Sequence, residues 1–550
     1  VIFAPWRAAP AFIALIAFAL ALSACGDEEA TQPQTPAGLV PSRASIYVEA
    51  TVGAATPQGR SLARLLDRFP GGDRLIGQVV ADLDRSLAGG RSGPDAPSFA
   101  KTIEPWLGDK VGLFFVGSGD PPDAAAVLKV DDPEAAARVT REQPERGGGQ
   151  VSLRVHRGVI YGVDKKGQTS AYLDGYLVAG DERAVVAAID VARDDAPSLT
   201  DSGDLDAARR LGGPDGPLIL ARIELGALSR AIALPGQGFP VSVDGAAPGR
   251  TVLAGYGERQ PVAAGSGGFG GTVVAALSVE SDKVTIDSSA RLGPALAASS
   301  TGTDGGDPAP ILSALPADSF AVAAVPGFGP QFAQGVKRGL GAQLGPFVGP
   351  GALRQGLRQR LGFDAIGFAN ALGDLGFFVS NDGRLVSTGA VLSVDDPRPV
   401  NEALDALPLL ISRTNADVDP LPGGLPGNPR GFLVFAPTAR QPFALAFDGE
   451  KLVAGYGIST LHDAFDPGRT IADTNLVSSS RKALGGGGFQ PAVAVEGRGL
   501  IQALKATLPK RAYEKASPYL EPIALIAAGS RTEGKAVDSR AVAALKPGEP

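Results

Sequence analysis

Two runs of apolar residues in this chain end in the same words. Ala126-Val127-Leu128-Lys129-Val130 leads into Asp131-Asp132-Pro133, and Ala390-Val391-Leu392-Ser393-Val394 leads into Asp395-Asp396-Pro397. Apolar and β-branched residues stopping at Asp-Asp-Pro predict a strand that hands over to a helix. Pro is suited to the first helical position, where its missing N–H is no loss, and the preceding Asp can cap free N–H groups. Asp132 and Asp396 are therefore expected N-caps. The helices predicted behind them run from Pro133 to about Arg141, with Ala135, Ala136 and Val139 inward, and from Pro397 to about Leu407, with Val400, Leu404 and Leu407 inward.

The same pattern recurs around these anchors in the same order. An apolar strand at Ile46 to Ala50 is answered by Phe320 to Val325, and Leu107-Gly108-Asp109 before Phe114-Phe115-Val116 by Leu372-Gly373-Asp374 before Phe377-Phe378-Val379. Asp174-Gly175 between apolar runs predicts a tight hairpin, matched by Asp448-Gly449. Leu211-Gly212-Gly213 returns as Leu484-Gly485-Gly486, and a closing hairpin at 272–292 returns at 523–545. Helical spacing marks Ser61 to Leu87, split by Pro70-Gly71-Gly72, then Phe99 to Leu107, Arg183 to Val191 and Leu205 to Leu211.

Landmarks so ordered imply a tandem duplication, with a repeat far longer than the roughly 20 to 50 residues of a solenoid. Strand pairs joined by tight turns and interrupted by helices predict an α+β fold: two tandem related domains, each a largely antiparallel sheet with helices on one face. The expected domains are 39–292 and 311–548, separated by a Ser, Thr, Gly and Pro-rich linker at 293–310.

Composition narrows the class. The 550 residues are 44% hydrophobic and 20% charged, an ordinary globular balance. A net charge of −7, with no Lys/Arg cluster against it, argues against a nucleic-acid surface. At the amino end, Arg7 precedes an apolar run from Ala8 to Leu22, short for a spanning helix, and then Leu22-Ser23-Ala24-Cys25 meets polar Gly26-Asp27-Glu28-Glu29. This resembles the lipobox of bacterial lipoproteins, which implies a signal peptide at 1–24 and a lipidated Cys25. Cys25 is the only cysteine in the chain, so no disulfide, Cys-ligated metal or Cys nucleophile is expected beyond it. Residues 25–38 then read as the lipidated Cys and a flexible stalk.

With Leu315-Pro316-Ala317-Asp318-Ser319 and the Leu-Gly-Asp before a Phe-Phe strand, the lipobox chain resembles the bacterial lipoproteins of the domain of unknown function 3352 family. That resemblance implies no known activity and supplies no catalytic residue.

The search for chemistry returns exclusions. Two histidines, His156 and His462, do not correspond between the halves, too few for a His-based zinc site, and no Gly-x-Ser-x-Gly elbow accompanies them. Gly265-Ser266-Gly267-Gly268-Phe269-Gly270 has dinucleotide-motif spacing but leads into the strand-like Thr272-Val273-Val274 instead of a helix. No catalytic residue, metal site or cofactor is expected. Asp109 and Asp374 recur at equivalent places, and they are either turn acids or an acidic pair at the interface between domains. The expectation is a non-enzymatic, exported lipoprotein, anchored by lipid to the outer face of the cytoplasmic or another envelope membrane, binding an envelope protein or ligand. The alternatives are a carboxylate-dependent envelope hydrolase and a carrier of an apolar ligand.

Overall fold

In the repeated strand, neighbours Val127 and Leu128 belong to different hydrophobic clusters, as do Val391 and Leu392. Successive strand residues point to opposite faces, so this sheet is covered on both. The structure, a computed structural model, describes residues 35–88, 98–117, 122–137, 151–225 (without 166 and 214), 271–292, 306–334, 350–381, 386–437 (without 415), 441–533 and 536–547. The expected signal peptide, lipobox and Cys25, and most of the linker, lie outside them.

The first half supplies β1 (Ile46–Thr51), β2 (Leu107–Val116), β3 (Asp123–Val130), β4 (Ser152–His156), β5 (Val159–Val163), β6 (Gln168–Leu173), β7 (Tyr176–Asp181), β8 (Ile219–Glu224), β9 (Gly271–Val279) and β10 (Lys283–Leu292). The second supplies β11 (Ser319–Val325), β12 (Leu372–Asn381), β13 (Val386–Val394), β14 (Asp417–Pro420), β15 (Arg430–Phe435), β16 (Phe443–Phe447), β17 (Lys451–Tyr456), β18 (Gln490–Glu496), β19 (Ile523–Glu533) and β20 (Ala536–Leu545). All pair antiparallel in one 20-stranded sheet. From one edge the pairings run β4-β5-β6-β7-β3-β2-β1-β8-β9-β10. They continue β20-β19-β18-β11-β12-β13-β17-β16-β15-β14 to the other edge. Each strand of the second half thus holds the place, counted from its own edge, of the strand ten earlier. The α+β class stands, and the two halves share one continuous sheet.

The halves meet where β10 pairs with β20, from Lys283 opposite Ala544 to Arg291 opposite Ala536. Asp287 and Arg540 are each the fifth residue of a ten-residue strand, and they face each other. The approximate twofold axis of the duplication therefore passes through that pair. Arg540 donates from Nε to Asp287 Oδ1 at 2.6 Å and from Nη2 to Oδ2 at 3.2 Å, with Asp287 only 1% exposed. Beside it Arg531 holds Asp538, and the Phe489 ring lies 4.8 Å from both guanidinium carbons. Two identical chains meeting here would set like against like on the axis; one duplicated chain can set acid against base.

Both expected caps form: Asp132 Oδ1 accepts from Ala135 N at 2.9 Å, and Asp396 Oδ1 from Arg398 N at 3.1 Å. The Asp174-Gly175 turn has φ of 46° and 85°, the pair of positive values a two-residue hairpin of this hand requires. Helices cover both faces instead of one. Glu182–Ala192 lays Val185, Ala188 and Ile189 on the face of Val127 and Val178, while Pro397–Ile411 lays Val400 and Leu404 on the opposite face, over Phe432, Phe447 and Leu452.

Three boundaries differ from expectation. The stalk ends early, because Pro36–Leu39 forms a 3-10 turn with Ala37 and Leu39 inside the first core. Gly112 makes room for it, since a Cβ there would stand 2.9 Å from Pro36 Cβ. The helix before Leu-Gly-Asp covers only Phe99–Thr102, and β2 already starts at Leu107. The end of the expected linker belongs to the second half, where Ala309–Ser313 is helical.

Candidate functional site

The two recurrent aspartates are strand residues of β2 and β12, not residues of a turn between helix and strand. Eight strands lie between β2 and β12 along the sheet, about 40 Å at ordinary strand spacing. Each is engaged within its own half: Asp109 Oδ1 accepts from Lys129 Nζ at 2.8 Å, and Asp374 Oδ1 from Gly327 N at 2.7 Å. The strands that join the halves are β10 and β20, which carry neither. An acidic pair at the interface is therefore not formed.

Around Asp109 lies a polar group that the sequence reading missed. Tyr47, Glu49 and Thr51 alternate along β1 and so share a face. Glu49, 4% exposed, accepts from the Tyr47 hydroxyl at 2.7 Å and from Lys110 Nζ at 3.3 Å, and Lys110 also reaches Thr51 Oγ1 at 2.9 Å. Burial pushes the Tyr47 phenol well above its ordinary value, and the Glu49 charge pushes the same way. Burial also raises Tyr176, with the Glu49 and Asp109 charges adding to it. Both phenols thus stay protonated donors across the physiological range. Glu49 is spent on Tyr47 and Lys110 under near-complete burial, so it is no general base for a substrate. One sequence signal pointed here: a charged residue inside apolar Ile46-Tyr47-Val48-Glu49-Ala50, where the second half has only Phe320-Ala321-Val322-Ala323-Ala324.

His156 Nε2 lies 2.6 Å from Asp190 Oδ1, with Arg157 bridging toward Asp195 at 3.2 Å. Among the described residues no hydroxyl hydrogen-bonds this imidazole. No group of three or more His, Cys, Asp or Glu side chains among the described residues is arranged to hold a metal.

A concave site lies elsewhere, with an apolar described lining. A pocket of about 380 Å³ opens between the start of the Pro133 helix and the sheet, lined by residues that include Pro133, Ala136, Ile160, Ser170, Tyr172 and Leu177. Among the described residues that line it none is charged; Ser170 and Tyr172 bring the hydroxyls. Its floor continues onto an open face of β4 to β6, where Leu153, Val155, Ile160 and Tyr172 are 73%, 69%, 64% and 47% exposed. Val155 pairs with Ile160 and Leu153 with Gly162, which sets these side chains on one face. Val159, Tyr161 and Val163 point the other way, into the first core.

The second half covers one position of the same face that is open here. Tyr172 pairs with Leu177 as Phe447 pairs with Leu452, and Leu177 pairs with Leu128 as Leu452 pairs with Leu392. Tyr172 and Phe447 are thus counterparts, yet Phe447 is only 3% exposed, under the helix Pro397–Ile411.

No family model matches this chain, and no curated protein matches it. Among solved structures it is similar to crystal form III of TP0453, at 10% identity and a TM-score of 0.26 over 48% of this chain and 82% of that one. Crystal form IV of TP0453 gives 11% identity and a TM-score of 0.25 over 50% and 86%. At such scores neither fold nor function is taken from the likeness. Among the described residues no helix is long and apolar enough to cross a membrane.

Proposed function

We propose that this chain is a lipid-anchored protein of the bacterial cell envelope, of the domain of unknown function 3352 family, that binds an apolar partner or ligand and performs no catalysis. One observation carries the binding part: the described lining of the concavity is apolar, whereas Asp109, Asp374 and Glu49 are each engaged by their own neighbours. A pocket of that size and lining suits apolar recognition, and a carboxylate hydrolase needs two acids facing one cleft. The anchor rests on Leu22-Ser23-Ala24-Cys25, and two acyl chains suffice for stable attachment where one is marginal.

Two measurements test the reading. Radiolabelled palmitate is expected in the wild-type chain and not in Cys25→Ala; an unlabelled wild type ends the anchor. Binding is read with the neutral fluorophore N-phenyl-1-naphthylamine, whose emission is expected to rise with the wild type and to fall to background with Ile160→Asp and Tyr172→Asp together. Equal emission from both proteins ends the assignment of this site.

A further inference from the structure

The chain is acidic as a whole, and one pair of helices runs against that balance. Residues 497–520 hold five Lys or Arg and a single acid, Glu514, in a chain of net charge −7. Spread over 24 residues they make no run in the sequence; two helices, Gly497–Thr507 and Lys510–Leu520, gather them. The first helix lies against β11 and β19, with Gly499 so close to Phe320 that a Cβ would overlap it, and the second packs on the first. On Lys510–Leu520, Arg511, Lys515 and Tyr519 stand at i, i+4 and i+8 and form one exposed ridge, while Tyr513, Ser517 and Leu520 turn inward. On Gly497–Thr507, Arg498, Gln502 and Lys505 are exposed at i, i+4 and i+7, opposite buried Gly499 and Ala503. Glu514 stands on the flank, 3.9 Å from Lys510. Among the described residues no ion pair engages Arg498, Lys505, Arg511 or Lys515.

Resting on the anchor reading above, we infer that this helix pair is a docking surface for the anionic headgroups of the bilayer that holds the lipid. Charge complementarity carries it: four outward cations have no acid of their own, and each Lys or Arg near an anionic bilayer adds attraction. The chain as a whole is repelled by such a surface, so attraction has a local source. Two observations favour a bilayer over an acidic protein. Only nine residues, Gly26 to Gln34, separate Cys25 from Thr35, and they reach at most about 35 Å, so an anchored chain stays close to the headgroups. Tyr519 ends the ridge at 50% exposure, and tyrosine suits the headgroup layer, where its ring and its hydroxyl meet different surroundings. Neither helix is long and apolar enough to cross a membrane, so the contact is peripheral.

The test is vesicle sedimentation of the chain from residue 25 onward, with Cys25→Ser so that it carries no lipid; every described residue is retained. Vesicles of phosphatidylglycerol and phosphatidylcholine in equal parts are expected to bind it at least about tenfold more tightly than phosphatidylcholine alone, and added salt is expected to erase the difference. Arg511→Gln with Lys515→Gln is expected to lower the anionic binding about tenfold. Arg43→Gln with Lys165→Gln, which removes the same charge from exposed positions of the first half, is expected to change it less than about twofold. All four positions are exposed, and an unchanged thermal midpoint confirms that the fold is kept. Equal binding to neutral and anionic vesicles overturns the proposal, as does an equal loss in both variants, since net charge and not the ridge is then read. Binding to polyglutamate without binding to anionic vesicles overturns it as well, because an acidic polypeptide is then the occupant. Palmitate labelling without the vesicle preference removes this surface and leaves the anchor; the vesicle preference without labelling removes the anchor and leaves the surface.

Discussion

Replacing Asp287 by Ala takes the acid from the axis of the duplicated sheet and leaves Arg540 behind. Asp287 is 1% exposed and receives two guanidinium bonds, so its removal breaks a buried pair instead of trimming a surface one. Breaking such a pair typically costs about 3–5 kcal/mol, chiefly because a charge is left buried without its partner. Arg540 is 21% exposed on its side chain, keeps a 3.0 Å bond to the Leu484 carbonyl and still stacks on Phe489. Those remaining contacts place the expected loss at the lower end, about 3 kcal/mol. The readout is hydrogen exchange of the β10 and β20 amides, since local opening of the junction need not unfold the edge strands. A loss of that size corresponds to roughly a hundredfold faster exchange there, at about 1.4 kcal/mol per tenfold. Changing both residues to Leu is expected to restore most of the protection, because a buried pair replaced by apolar residues is often neutral or stabilising. Exchange in Asp287→Ala within about threefold of wild type, or a double variant no better than the single one, refutes the assignment of the junction to this pair.

Other sites give sharper local readouts. Asp364 is partly desolvated, which alone raises its pKa, but its bonds from Arg354 and from the Gly367 N–H outweigh that and hold it below the ordinary 3.8. Its contribution to stability is therefore complete above 3.8 and is lost as pH falls through the lower folded value. Urea midpoints measured down to pH 2 are expected to fall more steeply for wild type than for Asp364→Asn, and parallel curves count against the cap and ion pair. Gly389→Ala puts a methyl 2.4 Å from Phe378 and 2.6 Å from Thr460 Cγ2. Overpacking of that kind costs about 1–3 kcal/mol, so a thermal midpoint equal to wild type sinks the packing account. Gly112→Ala is expected to displace Pro36–Leu39, read as faster proteolysis before Val40 with little change in the second half.

How much of this was legible in the sequence depended on what each feature needs to be recognised. Asp-Asp-Pro spelled a strand end and a capped helix with local chemistry alone, and the structure has both caps. The shared sheet was not legible, because β10 pairs with β20 across nearly half the chain, and neither strand carries a mark of its partner except Asp287 and Arg540. Those two read as isolated surface charges until the pairing is known. The Leu-Gly-Asp segment was misread as helix end and turn, since Gly108 is present for a different reason: a Cβ there would meet Asp131 and Lys129 side chains within 3 Å. The apolar pocket was invisible for the opposite cause, in that nothing is written at it. It is assembled by Pro133 and Ala136 from one segment and Ile160, Ser170 and Tyr172 from another, whereas the second half buries Phe447, the counterpart of Tyr172.

That difference between the halves is the most informative feature of the molecule. A duplication begins with two equal copies, and most of the sheet still keeps that equality strand for strand. The first half carries a buried acid at Glu49 with Lys110 and Tyr47 to hold it, where the second has Val322 and Ala324. It also exposes Leu153, Val155, Ile160 and Tyr172, and apolar surface left in water is unfavourable. By strand register Tyr172 answers Phe447 but Ile160 answers Arg430, so Leu153, Val155, Ile160 and Tyr172 make an apolar edge peculiar to the first half, where unpaired backbone already invites association. An exposed apolar face beside an apolar pocket is a recognised mark of an interaction site, and it is why the first half, not the second, is where an apolar partner is sought.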